Sequence, residues 1–402
     1  MKTERRIAAL CMAALCIVPG FACTMPEQSL TALAAEVTGS GTCGENAVWQ
    51  LDSDGTLTVS GTGAMYDLNS RYAIPWEAEK DSIRTVVIGK GITAVGGQAF
   101  SNCKNLASVS LSDTVTSIGE SAFNGCSALA SVGIPASVTH IGTFAFALCK
   151  KLTAITIPAS VSSIGSLAFS GTPWLNAESK KTPYVIINGL LIYGPDTEEA
   201  VIPAGVTDIV SNAFWGRSRM KKVIIPDTVK IIEYNAFSNC SGLVGVTVPD
   251  SVEEIGMQAF TGCTALAEVT VLNPACSIFD RATTFSNDSK TYSGVLKGHD
   301  GSAAEAYAGK YGYRFESLGP VPLRGDFNGD GSVGIEDAQG ILSAYAKTLA
   351  GGSAPLTDMQ RKTCDINGDG AVDVADAQLV LNYYVKNTVA GNPTDWETLL
   401  KR

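Results

Sequence analysis

A period of 23 residues constrains this chain more than any other feature. The dipeptide Ala-Phe recurs with its phenylalanine at 100, 123, 146, 169, 214, 237 and 260, in steps of 23, 23, 23, 45, 23 and 23 residues. Apolar residues keep fixed offsets before each phenylalanine. They are Leu129, Val132, Ile134, Val138 and Ile141 before Phe146, and Leu243, Val246, Val248, Val252 and Ile255 before Phe260. The fifth copy keeps Ile202, Val206 and Ile209 before Phe214. Proline closes a short run at Pro135, Pro158, Pro203, Pro226 and Pro249, and Gly119, Gly142, Gly165 and Gly256 precede the Ala-Phe pair. Each unit is two short β-branched runs, a glycine turn and an Ala-Phe plug. One unit cannot bury its own apolar edge, whereas copies stacked in register can. The expectation is a parallel solenoid of roughly eight turns, about 40 Å long at strand spacing, with its phenylalanines in a continuous inner column. Register then places Glu198 beside Lys221, Glu199 beside Lys222 and Lys230 beside Glu253. Each such pair is worth about 0.2–1 kcal/mol.

The segments LASVSLSDTVTSIGESAFNGC (106–126) and KLTAITIPASVSSIGSLAF (151–169) resemble BspA-like leucine-rich repeats, and the similarity runs over 83–272. That resemblance implies an adhesive or interaction module of the kind found on secreted and surface proteins of anaerobic bacteria. At 170–199 the repeat is interrupted, which reads as an irregular turn with a local bulge rather than a separate domain. Open solenoid ends need covers. Residues 36–82 supply a β cap with a hairpin turning at Ser53-Asp54-Gly55, and 273–318 a cap with a short helix and a final strand.

Five cysteines stand three residues after a repeat phenylalanine: Cys103, Cys126, Cys149, Cys240 and Cys263. They read either as disulfides or a metal ladder, or as small buried residues at a turn. Side chains of stacked equivalent positions run parallel rather than toward one another, which favours buried free thiols. Cys43, Cys276 and Cys364 carry no assignment from spacing.

Beyond the short linker 319–324 the composition changes. DFNGDGSVGIED (326–337) and DINGDGAVDVAD (365–376) carry oxygen ligands at loop positions 1, 3, 5 and 12 and glycine at 6, the pattern that wraps a calcium ion. The first loop offers Asp326, Asn328, Asp330, Asp337 and the Ser332 carbonyl. The second offers Asp365, Asn367, Asp369, Asp376, the Ala371 carbonyl and Asp373 through water. Two such loops imply two calcium ions. An amphipathic helix follows each, EDAQGILSAYAK (336–347) and ADAQLVLNYYVK (375–386), and the proline-rich linker leaves loop 1 without an entering helix.

This arrangement resembles a type I dockerin over 325–390, with 391–402 as a tail. The resemblance implies a cohesin domain of a scaffold protein as partner, in a cellulosome-like assembly. Carried over by motif position, the contacts are Ile335, Glu336, Leu342, Ser343 and Lys347, and in the second copy Val374, Ala375, Leu381, Asn382 and Lys386. The best-known dockerins have Ser-Thr where this chain has Ile335-Glu336 and Val374-Ala375, so cohesin type does not carry over.

A net charge of −10 argues against nucleic acid as partner, since phosphate backbones are bound by clustered cations. Only His140 and His299 are available for histidine chemistry. Residues 1–35, with Lys2, Arg5 and Arg6 before an apolar run and the Ala32–Ala35 segment after it, read as a cleaved export leader rather than a membrane span. Trp215 and Tyr234 are the aromatics expected to look outward on the later repeats, and Arg217, Arg219, Lys221 and Lys222 form a basic patch. No pair of carboxylates is placed for glycoside hydrolysis.

The expected fold class is a mainly β leucine-rich-repeat solenoid with an irregular β N-terminal cap, followed by a small all-α calcium-binding dockerin domain. The expected function is that of a secreted, non-catalytic subunit on a polysaccharide-degrading complex. Its solenoid would contact a protein, cell surface or glycan. The alternatives are a dockerin-borne hydrolase of O-glycosyl bonds whose site the sequence does not reveal, and a free adhesin that calcium only stabilises.

Overall fold

Short β-branched runs held apart by proline and glycine turns can pair only with the equivalent run of the next copy, and they do so here. The computed structural model describes residues 35–67, 73–351 and 356–401, apart from the side chains of Asp358 and Met359. The export leader expected at 1–35 lies outside the described residues except for Ala35. From Val37 onward the chain forms one compact unit.

Two parallel ladders run along the solenoid. One contains strands Thr85–Ile88, Ser108–Leu111, Ser131–Gly133 and Ala154–Thr156, and later Glu199–Val201, Lys222–Ile224, Gly245–Val248 and Glu268–Val271. The other is built of shorter strands such as Ser117–Ile118, His140–Ile141 and Ile231–Ile232. The pairing is in register at 23 residues, with Ile118 opposite Ile141 and Ile209 opposite Ile232. Lys221, Lys222 and Lys230 meet Glu198, Glu199 and Glu253 at 3.0, 2.8 and 3.1 Å. The eight repeat strands of the first ladder are extended by Val295–Gly298 and Arg314–Ser317 of the C-terminal cap. The solenoid is therefore two rungs longer than the repeats predict.

The expected continuous column of phenylalanines is two columns. Trp76, Phe100, Phe123, Phe146 and Phe169 stack with ring centroids 5.3–5.9 Å apart. Phe214, Phe237, Phe260 and Phe285 form a second stack at 4.9–5.6 Å. Segment 170–199 separates them, and it is not an irregular turn. Thr172 Oγ1 accepts from the Leu175 amide (3.2 Å) and Pro173 occupies the first turn, starting a helix, Pro173–Lys181. Its Trp174 closes the first column edge-on against Phe169, at 4.9 Å. A hairpin follows, Val185–Ile187 with Leu190–Tyr193, turning at Asn188 and Gly189 with both φ values positive. Leu190–Tyr193 then pairs with Asp208–Ile209 and restarts the second ladder.

The N-terminal cap is a three-stranded antiparallel meander, Val37–Thr42, Gly44–Asp52 and Thr56–Met65, so one strand precedes the predicted hairpin. Thr56–Met65 pairs in parallel with both Thr85–Ile88 and Ile92–Val95, which seeds both ladders. Buried Trp76 heads the first column and donates through Nε1 to the Ala99 carbonyl (2.9 Å). At the other end the helix Ala303–Tyr311 covers the last rungs, and Tyr307 meets Phe285 edge-on at 5.6 Å.

All eight described cysteines are buried free thiols. Cys126, Cys149, Cys240 and Cys263 donate to the carbonyls of Phe100, Phe123, Phe214 and Phe237 in the preceding turn, at 3.1–3.2 Å. The recurring spacing to phenylalanine is thus a hydrogen-bonded ladder rather than a ladder of disulfides. Burial pushes Cys103, Cys149 and Cys263 up to about 12, which keeps them protonated and unreactive.

Candidate functional site

The two acidic loops fold alike, residue for residue. Asp326 Oδ1 accepts from the Gly329 and Asp330 amides (2.7 and 3.2 Å) and its Oδ2 from the Gly331 amide (2.8 Å). Asp365 repeats this with Gly368, Asp369 and Gly370 at 2.8, 3.1 and 2.9 Å. At position 12, Asp337 accepts from the Phe327, Asn328 and Gly334 amides (2.9, 3.1 and 2.7 Å). Asp376 does the same with Ile366, Asn367 and Asp373 at 2.7, 3.2 and 2.9 Å. These last two carboxylates lie in the first turns of helices Ile335–Leu349 and Val374–Tyr384. One side chain therefore closes the loop and caps its helix, coupling loop order to helix order.

Among the described residues no three His, Cys, Asp or Glu side chains converge as a metal cluster. Asp330 is drawn to its own loop, accepting from the Ser332 amide and hydroxyl at 2.9 and 2.7 Å and from Asn328 Nδ2 at 2.9 Å. The Ser332 hydroxyl, with Asn328, holds the Asp330 carboxyl below its ordinary range. Asp369 accepts from Asn367 Nδ2 (2.8 Å) and the Ala371 amide (2.9 Å). Asp326, Asp337 and Asp376 are buried. The cations of this region pair elsewhere, Arg324 with Glu397 and Lys362 with Asp227 and Asp250. Buried carboxylates held only by amide donors are expensive without a cation. The all-oxygen donor set on a tight loop fits a hard cation.

The two exit helices pack on Ala338, Ile341, Cys364, Ile366, Ala377 and Val380. Their other faces are exposed and equivalent. Ile335 and Val374 are 42% and 39% accessible, and Leu342 and Leu381 are each 42% accessible. Glu336, Ser343 and Lys347, and in the second copy Ala375 and Asn382, are exposed beside them, with Lys386 half-buried. The region expected as a tail takes part in the fold. Helix Trp396–Leu400 returns to the domain, Trp396 stacks on Tyr383 at 4.0 Å, and Arg324 of the linker lies over the Trp396 ring at 5.9 Å. Lys362, in the short helix Asp358–Cys364 before loop 2, reaches the solenoid at Asp227 (3.1 Å) and Asp250 (3.0 Å). Partial burial lowers its pKa, but the two carboxylates outweigh that and hold the ammonium above the ordinary lysine range.

On the solenoid His140 is exposed, with its Nδ1 2.6 Å from the Thr139 hydroxyl. The basic patch is largely neutralised by Glu198 and Glu199. Arg217 departs from it, donating to the Gly194 carbonyl (2.8 Å) and lying over Tyr193 at 4.6 Å. No helix among the described residues is long and apolar enough to cross a membrane.

Fold and loops together define a repeat solenoid that carries a separate, duplicated acidic-loop domain. The BspA type leucine rich repeat region matches residues 78–189 and 186–293 in six copies, and the Dockerin type I domain matches 324–384. The chain belongs to the BspA-type leucine-rich repeat family and ends in a type I dockerin domain. Type I dockerin domains typically bind calcium and take a cohesin as partner. Neither matched domain is a catalytic one.

Among solved structures, a leucine-rich repeat protein from Eubacterium ventriosum is 26% identical, with 65% of this chain and 80% of that chain covered and a TM-score of 0.42. A leucine rich cell surface protein from Faecalibacterium prausnitzii is 19% identical, with 67% and 97% covered and a TM-score of 0.31. A leucine-rich repeat protein from Bacteroides ovatus is 22% identical, with 63% and 70% covered and a TM-score of 0.27. No curated protein matches.

Proposed function

We propose that the chain is a secreted, non-catalytic subunit that docks onto the cohesin of a cellulosome-like scaffold and presents its solenoid to another protein or surface. Asp326, Asn328, Asp330, Asp337 and the Ser332 carbonyl would hold one calcium ion, and Asp365, Asn367, Asp369, Asp376, the Ala371 carbonyl and Asp373 would hold a second, each supplying the charge that closes its loop. With the loops closed, Asp337 and Asp376 fix the starts of the two exit helices, and the outer faces of those helices bury against the cohesin.

The observation that carries this reading is the matched exposure of Ile335 with Val374 and of Leu342 with Leu381 on two helices whose N-termini are tied to the loops. Exposed apolar residues repeated by an internal duplication suit a partner face. The test is a calorimetric titration of the full chain with type I cohesin domains, in calcium and after chelation. Binding in calcium that is lost in chelator, and weakened by Leu342→Asp or Leu381→Asp, supports the reading. Equal binding in both conditions, or none to any cohesin, overturns it.

A further inference from the structure

The break in the solenoid is flanked by side chains that the other turns do not have. In every turn the residue two before the repeat phenylalanine has a positive φ: Gln98, Ser121, Asn212, Asn235 and Gln258 are polar, but Phe144 and Leu167 hold it at φ 53. The residue two after has a positive φ as well, being Asn or Gly in six turns and Leu148, at φ 58, in the seventh. Left-handed backbone is unfavourable for bulky side chains, and such strain concentrates where it serves function. Trp215 stands where Ser101, Asn124, Ala147, Ser170, Ser238 and Thr261 stand in the other turns. All four departures fall in the turns of Phe146, Phe169 and Phe214, the three nearest the insertion. All four face solvent: Phe144, Leu148, Leu167 and Trp215 are 37%, 52%, 38% and 53% accessible. Folding explains none of them, because the turns are made elsewhere with Asn, Gly and Ser.

Beside them, insertion and repeats enclose a cavity of about 290 Å³, with Leu167, Leu175, Tyr193, Asn212, Trp215 and Arg217 in its wall. Leu148 adjoins it across Gly171, where a Cβ would lie 3.0 Å from the leucine Cδ2. Arg217 is the one charged residue in the wall, in a chain of net charge −10. Its Nε donates to the Gly194 carbonyl (2.8 Å) and its guanidinium lies over the Tyr193 ring (4.6 Å), which leaves a five-donor group with capacity for a carboxylate. Tryptophan, tyrosine and arginine around a desolvated pocket are the residues that anchor protein interfaces. Leu167 stands where other turns carry Gln, Ser or Asn, and the Asn212 amide in the wall is already committed through Nδ2 to Ser166 Oγ (2.6 Å), which leaves fewer donors for a hydroxyl-covered sugar.

We propose that this patch binds an extended segment of a partner protein, which inserts one aromatic or large aliphatic side chain against Trp215 and Leu167 and sets a neighbouring carboxylate on Arg217. The site is separate from the dockerin and would be occupied whether or not a cohesin is bound.

The test selects a phage-displayed random-peptide library on the full chain, with a glycan array probed in parallel, using wild type, Trp215→Ser, Leu167→Asn and Arg217→Gln. Trp215→Ser installs the residue of other turns and keeps the fold. Leu167→Asn is expected to raise the melting temperature while losing binding, which separates a binding defect from a folding defect. Selected peptides should share a large apolar residue next to Asp or Glu. They should bind Trp215→Ser and Leu167→Asn at least about tenfold more weakly. Arg217→Gln should weaken only the acid-bearing ones. Peptides that bind Trp215→Ser as wild type, no such consensus, or a glycan whose binding Trp215→Ser abolishes would each overturn the proposal.

Discussion

Removing one ring from the middle of the first column should have consequences that stop at the insertion. Phe123 is fully buried and stacks on Phe100 at 5.4 Å and Phe146 at 5.3 Å. Truncation to alanine deletes a core ring and should cost about 3–5 kcal/mol. Phe123→Leu keeps most of the apolar volume but loses two ring pairs, each worth about 0.5–1.5 kcal/mol, so it should cost about 1–3 kcal/mol. Coupling separates this from generic core damage. Phe123→Leu and Phe146→Leu share a contact and should be non-additive by about 0.5–1.5 kcal/mol. Phe123→Leu and Phe237→Leu lie in different columns and should add within about 0.5 kcal/mol. Urea unfolding followed by circular dichroism, on both single variants and both double variants, measures each value. A Phe123→Leu cost under about 0.5 kcal/mol, or coupling to Phe237 as large as to Phe146, would refute the two-column account.

Other expectations follow from single residues. Asp337→Ala leaves the part-buried Phe327, Asn328 and Gly334 amides without their acceptor and should destabilise the dockerin domain by about 1–3 kcal/mol while abolishing calcium binding at loop 1, read by calorimetry. Burial raises the pKa of Glu233 despite two hydrogen bonds from Ser211. The folded state therefore takes up this proton before the unfolded chain does. Its contribution is present in acid and lost as pH rises through the folded value. The stability of wild type relative to Glu233→Gln should then fall as pH rises above the ordinary glutamate range, as melting curves would show. The eight described cysteines should resist a thiol reagent at mildly alkaline pH until denaturant is added, because their thiols are buried and protonated; rapid labelling of any one of them in the native protein would contradict its placement. Lys362→Ala removes a half-exposed bridge and should change stability by less than about 1 kcal/mol, with the effect fading in salt.

Much of this was legible because a repeat reads the same rule many times. The interval fixed the register, and with it the Lys–Glu pairs at 221, 222 and 230. The acidic loops were legible because their chemistry prescribes residue types at set positions, twice. The insertion was not, although Thr172-Pro173 is a helix start and Asn188-Gly189 a hairpin turn. Both signals sit inside a stretch that invites reading as a damaged repeat. Trp76 and Phe285 escaped notice as column ends because neither is preceded by alanine in the repeat pattern. The left-handed geometry of Phe144, Leu148 and Leu167 was invisible in sequence because apolar residues there look like core. Only the backbone shows that they point outward. The tail helix was missed because Trp396 gains its meaning from stacking on Tyr383 and from the distant Arg324, contacts that no local pattern announces.

The most direct measurement is capture from culture supernatant and cell wall, using the full chain and an Asp326→Ala, Asp365→Ala variant as baits, in calcium and in chelator. Calcium-dependent docking predicts a cohesin-bearing scaffold that binds wild type, elutes with chelator and is absent from the variant. Recovery of no scaffold in calcium, or of the same scaffold on the variant, would contradict it.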